Sequence, residues 1–133
     1  MKENNTYLKI GSVALLIALL LSIFYRPFIY RNNIYDYYFS DVIGSLFSVF
    51  TFCFLFWGFQ KKKYSSKEKT IHILIATIIY AFIWEFMGFI NVYGTFDTND
   101  IYAGVLSGII TFLAKTIITR NLFSLKIVNY DKE

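Results

Sequence analysis

Acidic side chains are the residues of this chain whose types and positions could do chemistry. Glu85 is the one acid inside the long apolar runs of the sequence, and Asp41, Asp97 and Asp100 stand at or near the ends of such runs. An ionisable group inside an apolar segment is costly to bury, so it usually faces the protein interior and marks a functional site. We therefore predict a binding site formed by these four acids, with Glu85 pointing into the interior.

Other kinds of site have little support in the sequence. The chain contains no Gly-x-Ser-x-Gly, no His-Glu-x-x-His, no glycine-rich phosphate loop and no cysteine cluster. Carboxylate oxygens can hold Mg²⁺ or Ca²⁺, but a few acids alone do not identify a metal site. We expect no metal, no cofactor and no catalytic residue, and an enzyme is the least favoured class of function. A lipid-modifying enzyme that uses only carboxylates stays open as an alternative.

Four apolar runs make up most of the sequence and must position these acids. They cover residues 10–25, 42–59, 71–90 and 101–119, and each is near the ~20 residues that a helix needs to cross a bilayer. The composition agrees, since 56% of the residues are hydrophobic and the mean hydropathy is +0.50. We predict an all-α fold, an integral membrane bundle of four transmembrane helices that forms a single domain over residues 1–133.

The positive charges predict how this bundle is oriented. With four crossings, eleven of the thirteen Lys and Arg residues lie on the side shared by the two termini and the connector at 60–70. Only Arg26 and Arg31 lie on the other side. The positive-inside rule then places both termini of this multi-pass membrane protein in the cytoplasm. The net charge of +4 comes from positive residues whose distribution fits a membrane topology signal. We therefore expect membrane lipid and no nucleic acid as a partner.

Small residues predict how the helices pack. Gly104, Ser107 and Gly108 form a stripe on the fourth run, and small residues allow the close backbone approach that drives helix association in lipid. Pro27 follows the first run and predicts that the first helix ends at Tyr25. Such a bundle is compatible with a homo-oligomer.

Two of the four acids have a simpler structural role open to them. Ser40 or Asp41 is placed to cap the second helix, and Asn99 or Asp100 to cap the fourth. Short polar side chains at such positions accept hydrogen bonds from the free N–H groups of the first turn. If they act as caps, their carboxylates are not available to a ligand.

The stretch from Glu85 to Gly108 resembles the signature of the VanZ-like family of small bacterial integral membrane proteins. Glu85, Asp97 and Asp100 occupy the positions of acids in the family pattern, whereas its Gln and Arg positions are Gly88 and Gly94 here. The resemblance implies a protein of the bacterial cell envelope linked to reduced susceptibility to glycopeptide antibiotics. It also implies an acidic, outward-facing pocket around Glu85 that binds a polar or cationic group of an envelope molecule or peptide.

Two other classes of function stay open. One is a small cation- or proton-coupled transporter or channel with Glu85 as the coupling carboxylate, which normally requires a polar path across the bilayer. The other is a membrane interaction protein, such as an immunity or defence component, that acts through helix contacts.

Overall fold

The chain folds into helices joined by short connectors. The computed structural model describes residues 2–60, 62–90 and 97–130 and, within these ranges, the side chains of residues 3–121. The elements are α1 (Lys2–Leu20), a π-helical turn (Leu21–Tyr25), α2 (Arg26–Arg31), α3 (Phe39–Phe59), α4 (Ser66–Phe89) and α5 (Thr98–Tyr130). The described residues contain no strand. Four segments are long and apolar enough to cross a membrane, namely Glu3–Arg31, Phe39–Phe59, Ser66–Phe89 and Thr98–Asn121. The predicted all-helical plan with four candidate membrane spans is confirmed.

The predicted helix boundaries are too short. The apolar run at 10–25 lies inside a helical segment that starts at Lys2, and the run at 101–119 lies inside a helix that continues to Tyr130. Hydropathy reports only the part of a helix that matches the hydrocarbon core, about 30 Å. The helices extend beyond that part.

The prediction that Pro27 ends the first helix is wrong. The chain widens into the π-helical turn just before the proline, and the backbone N–H of Arg26 bonds to the carbonyl of Leu21, five residues back. A proline has no N–H and clashes with the carbonyl four residues before it, so a local π turn accommodates the ring without ending the helix. The helix therefore continues as α2 to Arg31, and Arg26 is the first residue of α2.

The caps of α3 and α5 are not the predicted residues. Asp36 accepts a hydrogen bond from the backbone N–H of Ser40 at 2.8 Å, and Asp97 accepts one from the backbone N–H of Asn99 at 2.9 Å. Both helices begin three residues before the predicted starts, so acids earlier in the sequence accept these bonds from the first turns, while the N-cap residue of α3, Tyr38, makes no side-chain cap bond. Asp41 and Asp100 lie inside the first turns, where a negative charge is favoured by the helix dipole.

Glycines set the distance between α1 and α3. A Cβ atom built on Gly58 would lie 2.6 Å from Cα of Leu8, and one built on Gly11 would lie 2.8 Å from the backbone N of Leu55. The two helices therefore pack backbone against backbone. The fully buried Tyr7, Phe54 and Trp57 fill the same end of the bundle, which holds the N-terminus and which we call the packed end.

The predicted small-residue stripe of α5 lies between two neighbouring helices. Gly104 lies against the ring of Tyr80 and Gly108 against the hydroxyl of Thr77, both on α4. Ser107 is fully buried and its hydroxyl accepts a hydrogen bond from the backbone N–H of Phe50 on α3 at 3.1 Å. The stripe thus places α5 in contact with both α3 and α4.

Candidate functional site

The end of the bundle opposite the packed end contains a cavity of about 590 Å³. This volume is within the range of roughly 300–1,000 Å³ found for small-molecule sites. Its charged lining residues are Asp41, Asp97, Asp100 and Arg26. The other lining residues are Ser22, Tyr38, Ser40, Ile43, Gly44, Ser45, Tyr80, Trp84, Met87 and Gly88. We call this space the acidic cavity, because three carboxylates and one guanidinium face it.

The starts of α3 and α5 bring the three aspartates to one space. Asp41 is on the first turn of α3, while Asp97 precedes α5 and Asp100 is on its first turn. α3 and α5 pack against each other and run in opposite senses to α4, so their N-termini meet at the same end of the bundle. The positive ends of two helix dipoles therefore point to this end of the bundle, where they attract negative charge.

Asp41 and Arg26 are joined through a tyrosine. The Nε of Arg26 donates a hydrogen bond to the Tyr30 hydroxyl at 3.1 Å, and that hydroxyl donates to Oδ1 of Asp41. The guanidinium also lies 5.5 Å from the centre of the Tyr30 ring. The other oxygen of Asp41 and the two Nη groups of Arg26 form no hydrogen bond with any described residue.

Asp97 and Asp100 have only neutral partners. Ser45 donates a hydrogen bond from its hydroxyl to Oδ1 of Asp100. Asp97 accepts from the backbone and side-chain amides of Asn99, at 2.9 and 3.3 Å. Neither carboxylate forms an ion pair with a Lys, Arg or His among the described residues. The α5 side of the cavity thus carries negative charge that the surrounding protein does not neutralise.

The structure does not place Glu85 where the sequence predicted. Its neighbours Trp84, Met87 and Gly88 line the acidic cavity, but Glu85 is exposed and is not part of the lining. One residue rotates a helix position by about 100°, which is enough to turn Glu85 away from the cavity. Its outward face on α4 is otherwise apolar, with Phe82 67% and Phe89 84% exposed.

The donor atoms of the cavity are spread around its wall. Among the described residues, no group of three or more His, Cys, Asp or Glu is close enough to hold a metal ion. The cavity instead combines separated carboxylates with the aromatic rings of Tyr38, Tyr80 and Trp84. Rings and carboxylates together suit an organic cation, because aromatic faces and negative charges both attract a positive group.

A second polar cluster, which sequence reasoning missed, lies at the packed end. The Lys69 ammonium pairs with the Glu3 carboxylate, donates to the Tyr7 hydroxyl at 3.0 Å and lies 4.5 Å from the centre of the Tyr7 ring. Tyr7 in turn donates to Glu3 at 3.0 Å. Lys69 is only 4% exposed, so this cluster ties α4 to α1 from within. The sequence signal was the Glu3–Tyr7 spacing of four residues, which places both side chains on one helix face.

Lys115 is also buried at this end, with 3% of its surface exposed. Its ammonium donates to the Thr70 hydroxyl at 2.8 Å and to the hydroxyl and carbonyl of Ser66 at 3.2 and 3.1 Å. Further along α5, Thr111 is fully buried and donates to the carbonyl of Ser107. The hydroxyls of Thr70 and Thr111 each donate to the carbonyl four residues earlier on their own helix. Lys115 joins α5 to the first turns of α4.

Comparison of this chain with family models, curated proteins and solved structures finds no match. The VanZ-like resemblance therefore stays a prediction that rests on Glu85, Asp97 and Asp100. Gly94, at the position of the family's Arg, lies outside the described residues. The acidic cavity is thus the feature of the described structure that bears most directly on function.

Proposed function

We propose that this chain is a multi-pass membrane protein that binds a cationic organic group in the acidic cavity. The observation that carries the proposal is that Asp41, Asp97 and Asp100 all face one space of about 590 Å³ in which Arg26 is the only cation among the described lining residues. Two of these aspartates, Asp97 and Asp100, have only neutral partners, so a ligand cation would supply the charge that the protein does not.

The apolar part of the lining defines the rest of the ligand. Trp84 and Tyr80 bring aromatic rings to the cavity, and Ile43 and Met87 bring aliphatic surface. A cation over an aromatic face gains roughly 0.5–2 kcal/mol, with the larger values in desolvated sites. The ligand class that fits is therefore a primary or quaternary ammonium attached to an apolar body.

The location of the site follows from the predicted topology. With both termini in the cytoplasm, the connector between α2 and α3 and the start of α5 lie on the outer side of the bacterial cytoplasmic membrane. The acidic cavity then opens toward the cell envelope, as the VanZ-like resemblance implies, and an envelope molecule is the expected ligand. The proposed role is binding, with Asp41, Asp97 and Asp100 rather than Glu85 as its principal carboxylates.

Neutralising the α5 side of the cavity tests this proposal. We expect the double substitution Asp97→Asn and Asp100→Asn to weaken binding of phenethylammonium, a monovalent aromatic cation, by about tenfold or more. Hydrogen bonds to charged groups contribute about 1.5–3 kcal/mol, and 1.4 kcal/mol corresponds to a factor of ten. Asn is also a good N-cap residue, so the start of α5 should persist. Isothermal titration calorimetry of the purified full chain in detergent measures the affinity.

Glu85→Gln is the matched control for this experiment. It removes one carboxylate from the same end of the bundle but from a position outside the cavity lining, and we expect it to leave the affinity within a factor of two (~0.4 kcal/mol). Equal weakening by both variants would point to a general effect of surface charge. Failure of the wild-type chain to bind phenethylammonium would contradict the proposed function.

A further inference from the structure

We propose that the ligand of the acidic cavity is a zwitterion whose anionic group binds Arg26 and whose ammonium group binds Asp97 and Asp100. This inference rests on the proposed function and extends it, because it assigns a role to the one guanidinium in the lining. The anion is a carboxylate or phosphate, and the ligand as a whole carries no net charge.

The charges of the cavity are separated rather than mixed. Arg26 is on α2 and is connected through Tyr30 to Asp41 on α3, so this side of the cavity holds one positive and one negative group. Asp97 and Asp100 belong to α5 and have no cationic partner among the described residues. The cavity is therefore dipolar, balanced at α2 and α3 and negative at α5.

Arg26 has free donors for an anion. Its Nε is used by Tyr30 at 3.1 Å, while both Nη groups make no hydrogen bond or ion pair with a described residue. A guanidinium binds a carboxylate or phosphate through two parallel N–H groups. The Nε hydrogen bond to Tyr30 and the ring of the same residue, whose centre lies 5.5 Å from the guanidinium carbon, restrict Arg26 and so reduce the entropy lost on binding.

Ser40 adds a hydroxyl to the cavity wall. The residue is 2% exposed and lines the cavity, and among the described residues its hydroxyl has no hydrogen-bond partner, since only its backbone N–H is bonded, to Asp36. In the described part of the chain the fully enclosed side-chain oxygen without a partner is Oγ1 of Thr51, not the hydroxyl of Ser40, so the Ser40 hydroxyl is open to the cavity. A polar ligand there would accept a hydrogen bond from it, which an apolar filling would not.

Two sources of such a zwitterion share this chemistry. A free amino acid or peptide carries an ammonium and a carboxylate, and the headgroup of an ethanolamine phospholipid carries an ammonium and a phosphate. Both fit a cavity that has Arg26 at one side, Asp97 and Asp100 at the other, and the ring of Trp84 in the lining. The choice of probes below separates these sources.

The test compares matched probes on the purified full chain. Phenethylammonium and L-phenylalanine share a ring and an ammonium and differ by one carboxylate, and glycerophosphoethanolamine presents the lipid headgroup without a ring. We expect Arg26→Gln to weaken binding of phenylalanine by about tenfold, from the loss of a charge-assisted hydrogen bond. The same variant should bind phenethylammonium as well as the wild type does, or better, because a repelling charge is removed.

Arg31→Gln is the control, since Arg31 belongs to the same helix but not to the cavity lining, and it should change neither affinity. Arg26→Lys keeps the positive charge but replaces the planar guanidinium with an ammonium group. We expect its affinity for phenylalanine to lie between those of the wild type and Arg26→Gln. Because glycerophosphoethanolamine has no ring, its affinity is compared with that of L-alanine: tighter binding of alanine supports a free zwitterion, and tighter binding of glycerophosphoethanolamine supports a lipid headgroup.

Two outcomes would overturn the inference. Equal weakening of phenethylammonium and phenylalanine by Arg26→Gln would show that Arg26 only maintains the cavity. Unchanged affinity for phenylalanine would show that no anion binds there. In both cases, binding of phenethylammonium by the wild-type chain would still support the proposed cation site. If the wild-type chain does not bind phenethylammonium, the proposed function itself is contradicted.

Discussion

Gly58→Ala is expected to destabilise the folded protein by about 3 kcal/mol, the upper end of the 1–3 kcal/mol typical of overpacked sites. The added Cβ would lie 2.6 Å from Cα of Leu8 and 2.7 Å from its backbone N. Neither atom is the end of a flexible side chain, so the backbone of α1 itself must move away from α3. Gly11 holds the same pair of helices at 2.8 Å from Leu55, and a shift at one glycine therefore strains the contact at the other.

Gly44→Ala is the matched control on the same helix. No heavy atom lies within 4 Å of a Cβ built on Gly44, and alanine favours a helix over glycine by about 1 kcal/mol. We expect this variant to be as stable as the wild type or slightly more stable. Unfolding of both variants by denaturant in mixed micelles measures the difference. Equal stabilities would contradict the close α1–α3 contact.

Glu3→Gln is expected to lower the free energy of unfolding by about 3 kcal/mol, because it leaves the buried Lys69 ammonium without its counter-ion. Removal of one partner of a buried pair costs about 3–5 kcal/mol, and we take the lower end because 29% of the Glu3 side chain is exposed. Tyr7 remains as a hydrogen-bond partner of Lys69, but a neutral hydroxyl does not balance the charge.

A second substitution separates charge from packing at this cluster. We expect Glu3→Gln combined with Lys69→Met to recover most of the lost stability, since an apolar residue of similar length replaces the buried charge. Lys62→Gln is the control, because Lys62 pairs with Glu68 at 3.6 Å on the surface and exposed pairs contribute about 0–1 kcal/mol. A double variant less stable than Glu3→Gln alone would contradict this account of the cluster.

Hydropathy and charge were sufficient to predict the helical plan. Three of the four apolar runs lie within a candidate membrane span, and the run at 71–90 extends one residue beyond its span, Ser66–Phe89. This agreement is expected, because a hydrogen-bonded helix is the one way for a single apolar segment to satisfy its backbone in lipid. The boundaries were missed where side-chain hydrogen bonds extend a helix. Asp36 and Asp97 cap α3 and α5, and composition alone does not distinguish them from Asp41 and Asp100.

The candidate site could be predicted only in part. Asp41, Asp97 and Asp100 face one cavity. This was predictable, because the sequence places all three at or near the starts of the second and fourth apolar runs, which lie on the same side of the membrane. The position of Glu85 depends on the rotation of α4 about its own axis, which is set by the contacts of Tyr80 and Thr77 with the glycines of α5. A sequence with small residues on more than one face of the helix does not determine that angle. Arg26 was missed as a lining residue because the first helix was predicted to end at Tyr25. In the structure Arg26 follows a π-helical turn and belongs to a helix that continues to Arg31.

The buried lysines show the same limit. Lys115 is close to a predicted helix end, where a long side chain usually extends to the interface. The structure instead buries its ammonium against Ser66 and Thr70. Its depth depends on where α4 begins, and α4 begins at a capping box formed by Ser65 and Glu68, five residues before the apolar run that the sequence shows.

The measurement that most directly tests ligand binding in the acidic cavity is the affinity of Gly44→Phe for phenethylammonium. Gly44 lines the cavity, and a Cβ built there meets no atom within 4 Å, so a phenyl ring can fill the space without disturbing the helix packing. We predict a fold as stable as the wild type with binding weakened by at least tenfold (~1.4 kcal/mol), while Gly44→Ala retains binding. Wild-type affinity in a stably folded Gly44→Phe would contradict the account, because the ligand would then bind somewhere else.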